Sequence, residues 1–147
     1  MYQHILVPID DTSVSERGLH EAILLAAALK SRLRLLHVID DFQAQVDQSP
    51  ESTFDAAVQE VRRKAEALLA TAQKSALESG ISAECVLIDA VPTTVSDLIL
   101  QEAQSRKCDL IVMGTHARHG LIRLVFGSDA DLIVRGSLVP VLLVRSS

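Results

Sequence analysis

Tryptophan is missing from this chain, tyrosine occurs once, and aromatic residues make up 3% of its 147 positions. So little ring surface cannot build the stacking platforms that hold single-stranded nucleic acids. Positive charge is scarce as well. Fourteen Lys and Arg stand against nineteen Asp and Glu, a formal net charge of −5, whereas a phosphate-backbone binder presents a basic face. There are two cysteines, Cys85 and Cys108. That density excludes a disulfide framework and points to a reducing compartment. Both lie inside apolar runs and read as small buried hydrophobes. The opening MYQHILVPID has no long apolar stretch of the signal-peptide kind, and no run approaches the ~18 apolar residues of a membrane span. A cytoplasmic protein is the expectation.

What the chain has in quantity is aliphatic side chains: 48% of it is hydrophobic, and its length suits a single domain with a real core, residues 1–147. The apolar runs alternate with helical patterns. Residues 3–9 (QHILVPI) read as a buried strand ending at Asp10–Asp11, and Ser13 with Glu16 reads as a capping box. Leu19, Ala22, Ile23, Ala26 and Lys30 follow at helical spacing. Residues 33–39 form a second strand, 40–52 a polar loop, and Phe54, Val58, Val61, Ala65, Leu68 and Ala72 the stripe of a long helix closed by Gly80. A third strand spans 82–89, and a helix follows, opened by Pro92 and by Thr94 with Asp97. The fourth strand is 108–113. Ser128 with Asp131 starts a short helix ended by Arg135 and Gly136, and LVPVLLV (138–144) is the fifth strand. This βαβαβαβαβ order predicts an α/β fold with an open parallel sheet and helices on both faces. Ligands of such sheets sit beyond the strands' carboxyl ends, which directs attention to Asp10, Val38, Asp89, Met113 and Gly114.

The stretch GTHARHGLIRLVFGS, from Gly114 to Ser128, carries the richest local chemistry. Gly114 lets the backbone turn and lets a ligand approach closely. The helix starting at Gly127–Ser128 offers free N–H groups and a positive dipole end to an anion, the Ser128 hydroxyl adds a hydrogen bond, and Arg118 and Arg123 add charge. The plainer reading is a turn, a cap and two solvated arginines, and spacing alone leaves both open. Asp10 can accept from ribose hydroxyls or be a solvated acid. His116 and His119 form an H-x-x-H pair with no third ligand nearby, so no metal site is assigned. His37, on an apolar strand, reads as a hydrogen-bonded core residue. No Ser–His–Asp arrangement is visible, and no catalytic residue is assigned. Asp10–Asp11, Asp89 and Thr115 could suggest a phosphoryl-accepting receiver, but such a domain needs a lysine after strand five and a closing helix. Here Arg145 and the chain end follow.

HILVPIDDTSVSERGL, LRLLHVID and CDLIVMGTHARHGLIRLVFGSDADLIVRGSLVPVLLVR together resemble the universal stress protein family over the whole chain. The resemblance implies five strands in the order 3-2-1-4-5, an adenine nucleotide alpha hydrolase-like fold, and a homodimer joined through the last strand, Val139–Val144. It implies a role in stress response. Nucleotide-binding members resemble one another in a pattern of Gly, two residues, Gly, nine residues, then Gly followed by Ser or Thr. Here Gly114, Thr115–His116, Ala117, Arg118 to Phe126 and Gly127–Ser128 fill that spacing, with alanine at the second glycine. Pro8, Asp10, Val38 and Met113 match the adenosine end, and Arg118 the family's basic residue. Two further departures are Asp129, where a small or apolar residue is usual, and Ala90 in place of a glycine. The implied ligand is ATP, ADP or AMP, with or without Mg²⁺, held by Pro8, Asp10, Val38, Met113, Gly114, His116, Ala117, Arg118, Gly127 and Ser128. The rival is a stress-protein dimer that binds no nucleotide and works through protein contacts. An adenylating enzyme fits poorly, because IDDTSVS stands where a Ser-Gly-Gly phosphate loop would follow strand one. Slow ATP hydrolysis is the most catalysis the resemblance implies.

Overall fold

A computed structural model of the chain describes residues 1–89, 93–116 and 128–146. Strands β1 (His4–Pro8), β2 (Arg32–Ile39), β3 (Ala83–Asp89), β4 (Leu110–His116) and β5 (Val141–Ser146) form one sheet in the order β3-β2-β1-β4-β5. Every pairing is parallel, with Ile5 opposite both Leu33 and Leu110. The expected order and direction are therefore met. Parallel strands need crossovers, and α1 (Ser13–Leu29), α2 (Phe42–Asp47), α3 (Phe54–Glu78), α4 (Val95–Ser105) and α5 (Ser128–Gly136) lie in those connections.

The strands feed two cores because their side chains alternate. Ile5 and Val7 pack with Leu19, Ala22, Ile23 and Ala26 of α1 and Leu69, Ala72 and Ala76 of α3. Leu6 faces the other way, with Ile111 and Met113, against Ile99 and Ala103 of α4 and Ala130 and Ile133 of α5. A smaller cluster joins Val46 of α2 to Ala57, Val61 and Ala65.

Local departures from expectation have local causes. The cap of α1 falls one residue earlier than Ser13: Thr12 is extended, and its Oγ1 accepts from the Ser15 N–H. Lys30 is not on the stripe but closes α1 in a left-handed conformation, φ 59°. In α3 the buried line is Ala57, Val61, Ala65, Leu69, Ala72 and Ala76, while Phe54 is 64% exposed. Small side chains let that helix lie close, and the bulky ones flank the contact. Gly80 closes it at φ +76°, as its position suggested. Thr94 caps α4 by accepting from Asp97 N–H, whereas Pro92 lies outside the described residues. Asp131 pairs with Arg135 (3.1 Å), and the cap expected from Ser128 lies outside the described side chains. Cys85 is exposed, because β3 is a sheet edge, while Cys108 is buried as expected. Burial pushes the Cys108 thiol up to about 11. No helix among the described residues is long and apolar enough to cross a membrane.

Candidate functional site

The sheet reverses its winding between β1 and β4, and loops leaving adjacent strands there diverge to opposite faces. At that point a cavity of about 360 Å³ opens at the strands' carboxyl ends. This is within the range of about 300–1,000 Å³ typical of small-molecule sites. Pro8, Leu36, Val38, Val95, Ile99 and Met113 supply apolar wall. Asp10, Asp40 and Asp129 supply carboxylates, and Thr12, Ser15 and Thr115 supply hydroxyls.

The β1–α1 connection sets Asp10. Ile9 N–H donates to the Leu36 carbonyl (2.7 Å), and His37 Nδ1 meets the Ile9 carbonyl at 2.6 Å, which fixes the strand's exit. His37 is thus hydrogen-bonded, as its strand position implied. Asp10 N–H then donates to Ser15 Oγ (2.9 Å), and Asp10 Oδ1 accepts from both the N–H and the hydroxyl of Thr12. One carboxylate oxygen is thereby committed to the helix cap. No hydrogen bond among the described residues uses Oδ2.

Gly114 lines the cavity, but its missing side chain answers to a different neighbour. It lies inside β4, which runs three residues beyond the expected end at 113. A Cβ on it would fall 2.0 Å from the Val14 carbonyl oxygen, and one on Gly18 would fall 2.6 Å from the Gly114 nitrogen. The two glycines let α1 press directly onto β4. Thr115 was not among the expected site residues. It is 5% exposed, it lines the cavity, and its hydroxyl has no partner among the described residues. A buried hydroxyl without a partner is costly, so this atom is a candidate contact for a bound group. No periodicity or capping pattern could have revealed it.

Asp129 stands in the first turn of α5. Partial burial pushes its carboxyl above the usual range, and the nearby Asp40 and Asp10 carboxylates push it the same way. Among the described residues, no cluster of three or more His, Cys, Asp or Glu could hold a metal ion. The structure thus brings Pro8, Asp10, Val38, Met113 and Gly114 together around one cavity. His116 is the last residue of β4 and Ser128 the first of α5. Ala117, Arg118 and Gly127 lie outside the described residues, as do Arg123, His119 and Ala90.

The universal stress protein family model matches residues 1–145. This chain belongs to that family. The universal stress protein YxiE of Bacillus subtilis is 31% identical to it, over 99% of this chain and 100% of that protein. The crystal structure of a family member from Burkholderia pseudomallei superposes with a TM-score of 0.76 at 26% identity, covering 99% of this chain and 97% of the other. A universal stress protein in complex with cAMP shares the fold at a TM-score of 0.71 and 24% identity, over 99% of each chain. One from Arabidopsis thaliana with AMP bound does so at 0.70 and 19%, over 99% of this chain and 92% of that one.

Proposed function

We propose that this universal stress protein binds an adenine nucleotide in the cavity at the β1–β4 switch point and acts in the cytoplasm as a regulatory dimer in stress response. The observation that carries the ligand is the Thr115 hydroxyl, buried and without a partner among the described residues, in a cavity with apolar walls that Asp10 also lines. Val38, Ile99 and Met113 offer surface for a purine. Asp10, with Oδ2 unused among the described residues, suits a ribose hydroxyl donor. The relatives that bind cAMP and AMP on the same fold support the choice of adenine. ATP, ADP and AMP all carry the recognised nucleoside. Gly114, His116, Ala117, Arg118, Gly127 and Ser128 are proposed as the phosphate end, with the α5 N-terminus contributing its dipole.

Dimerisation is proposed through β5. Its outer edge has no strand partner among the described residues, and Leu142 on it is 39% exposed. An apolar edge of this kind favours pairing with a second chain.

Thermal unfolding tests the ligand. A native state that binds raises its melting temperature with ligand concentration. A clear rise is expected for the wild type with millimolar AMP or ATP. Asp10→Asn, which keeps an oxygen for Thr12, should blunt the rise while leaving the unliganded melting temperature nearly unchanged. No shift with either nucleotide would favour a dimer working through protein contacts alone.

A further inference from the structure

Arg62 of α3 touches two elements that meet beside the cavity. Its Nη2 donates to Asp89 Oδ2 (3.0 Å) at the end of β3, and its guanidinium lies over the Phe42 ring, 5.2 Å from the centroid. Asp89 stands in register with Ile39, the last residue of β2, and Phe42 opens α2. Between Ile39 and Phe42 there are only Asp40, which lines the cavity, and Asp41. One side chain therefore grips both sides of the short connection that carries Asp40. Arg62 itself is not on the cavity wall.

That connection does not hold its own shape. A six-residue helix is too short to persist alone, and Asp41, at the N-cap of α2, makes no side-chain capping bond. Asp41 is also left-handed, φ 54°, a conformation that costs an L-residue energy even though Asp tolerates it better than most. Such a backbone persists only where surrounding contacts over-determine it. Val46 supplies one contact, packed with Val61 of α3, and Gln45 Nε2 supplies another by donating to the Asp40 carbonyl (2.8 Å). Arg62 adds a third, because a cation within about 6 Å of a ring centroid attracts the ring. Its exposed ion pair with Asp89 contributes little by itself, but it aims the guanidinium that holds Phe42.

We infer that Arg62 is a positioning residue for the proposed ligand site: through Phe42 and Asp89 it holds the β2–α2 connection so that Asp40 stands on the cavity wall. The inference takes its ligand from the adenine reading above and its geometry from the contacts alone. Loss of Arg62 frees the first turn of α2 and lets Asp40 leave the wall. Affinity then falls although no group touching the ligand has been removed.

The experiment has one arm without ligand and one with it. Asp40 is one of two carboxylates that push the Asp129 pKa above 3.8. Carboxyl titration by NMR should therefore show the Asp129 pKa falling toward 3.8 in Arg62→Ala. Direct loss of a cation would raise a neighbouring carboxyl instead, so the sign separates positioning from simple charge removal. With Asp40→Asn already in place, Arg62→Ala should leave Asp129 unmoved. Arg62→Lys, which keeps a cation for Phe42 and Asp89, should stay nearer to wild type. In the calorimeter, Arg62→Ala should bind adenosine and AMP about threefold or more weaker than wild type, with a smaller loss in the Asp40→Asn background. An Asp129 pKa that stays or rises in Arg62→Ala overturns the inference. So does unchanged affinity for adenosine and AMP, or a loss that is simply additive with that of Asp40→Asn. If the wild type binds neither adenosine nor AMP, the adenine reading fails, and the Asp129 titration alone decides whether Arg62 positions Asp40.

Discussion

At Gly114, packing across the fold claims a residue that the loop pattern singles out for a ligand. Its position in the pattern suggests freedom to turn and room for a ligand. The structure gives it no turn: it pairs with Val144 inside β4, and the space its side chain would fill belongs to the Val14 carbonyl. A neighbour across the fold cannot be seen in the spacing of a loop. Gly114→Ala is therefore expected to act on stability first. Forcing a methyl against backbone at 2.0 Å pushes α1 off β4, and overpacking of this kind costs typically about 1–3 kcal/mol. Urea denaturation should show that loss without ligand present. A stable Gly114→Ala protein with weakened nucleotide binding would return the residue to a purely ligand-facing role. Thr115 is the complementary case. Its sequence context marks it only through the rejected receiver reading, because its meaning lies in a hydroxyl that is buried and unmatched among the described residues.

At the scale of elements, the strands and long helices were legible because apolar runs and 3.6-residue stripes persist over many residues. The six-residue α2 lies inside the polar loop expected over residues 40–52. Its one buried side chain, Val46, cannot establish a period. β4 runs past its expected end at 113 because the backbones of Gly114–His116, which are not an apolar run, pair with β5 through His116 and Ser146. Edge strands are the least legible of all, since exposure depends on which strand lies outside. That is why Cys85 is exposed in a run that looks buried. The same logic makes β5 testable. Leu142 is exposed on an edge whose other residues, Val141 and Leu143, are half-buried and whose Val144 is buried. Leu142→Lys places a charge where a second copy's strand would pack, a standard means by which edges resist pairing. In light scattering after size exclusion, the wild type is expected at twice the chain mass and the variant at the chain mass. A dimer that survives Leu142→Lys would remove this strand from the interface.

Over the whole molecule, the acids of the proposed ligand cavity and the titratable cluster of the core lie at opposite ends of the sheet. At the amino ends of the strands, buried Arg34 pairs with Glu102 (2.6 Å) and Glu84 (3.2 Å). His4, also buried, has Nε2 3.7 Å from Glu84 and Nδ1 3.7 Å from the Cys108 sulfur. Burial holds the His4 pKa below its ordinary 6.5, Arg32 and Arg34 push it the same way, and Glu84 pulls against them. A histidine kept neutral in the native state binds a proton more readily when unfolded. Between its lowered pKa and 6.5 the unfolded chain therefore carries the extra proton, and stability falls as pH falls through that window. Asp129 has the opposite sign, because its raised pKa makes the native state the better proton acceptor. Its window opens at 3.8 and extends only to its raised value. Urea denaturation at a series of pH values from 7 to 5 should show wild-type stability declining with acidification and His4→Gln declining less. Equal slopes would mean that His4 stays unprotonated in both states or is solvated in both. Saturating nucleotide should add the same increment to stability in wild type and His4→Gln at each pH, because the cavity proposed to hold it lies at the other end of the sheet from His4.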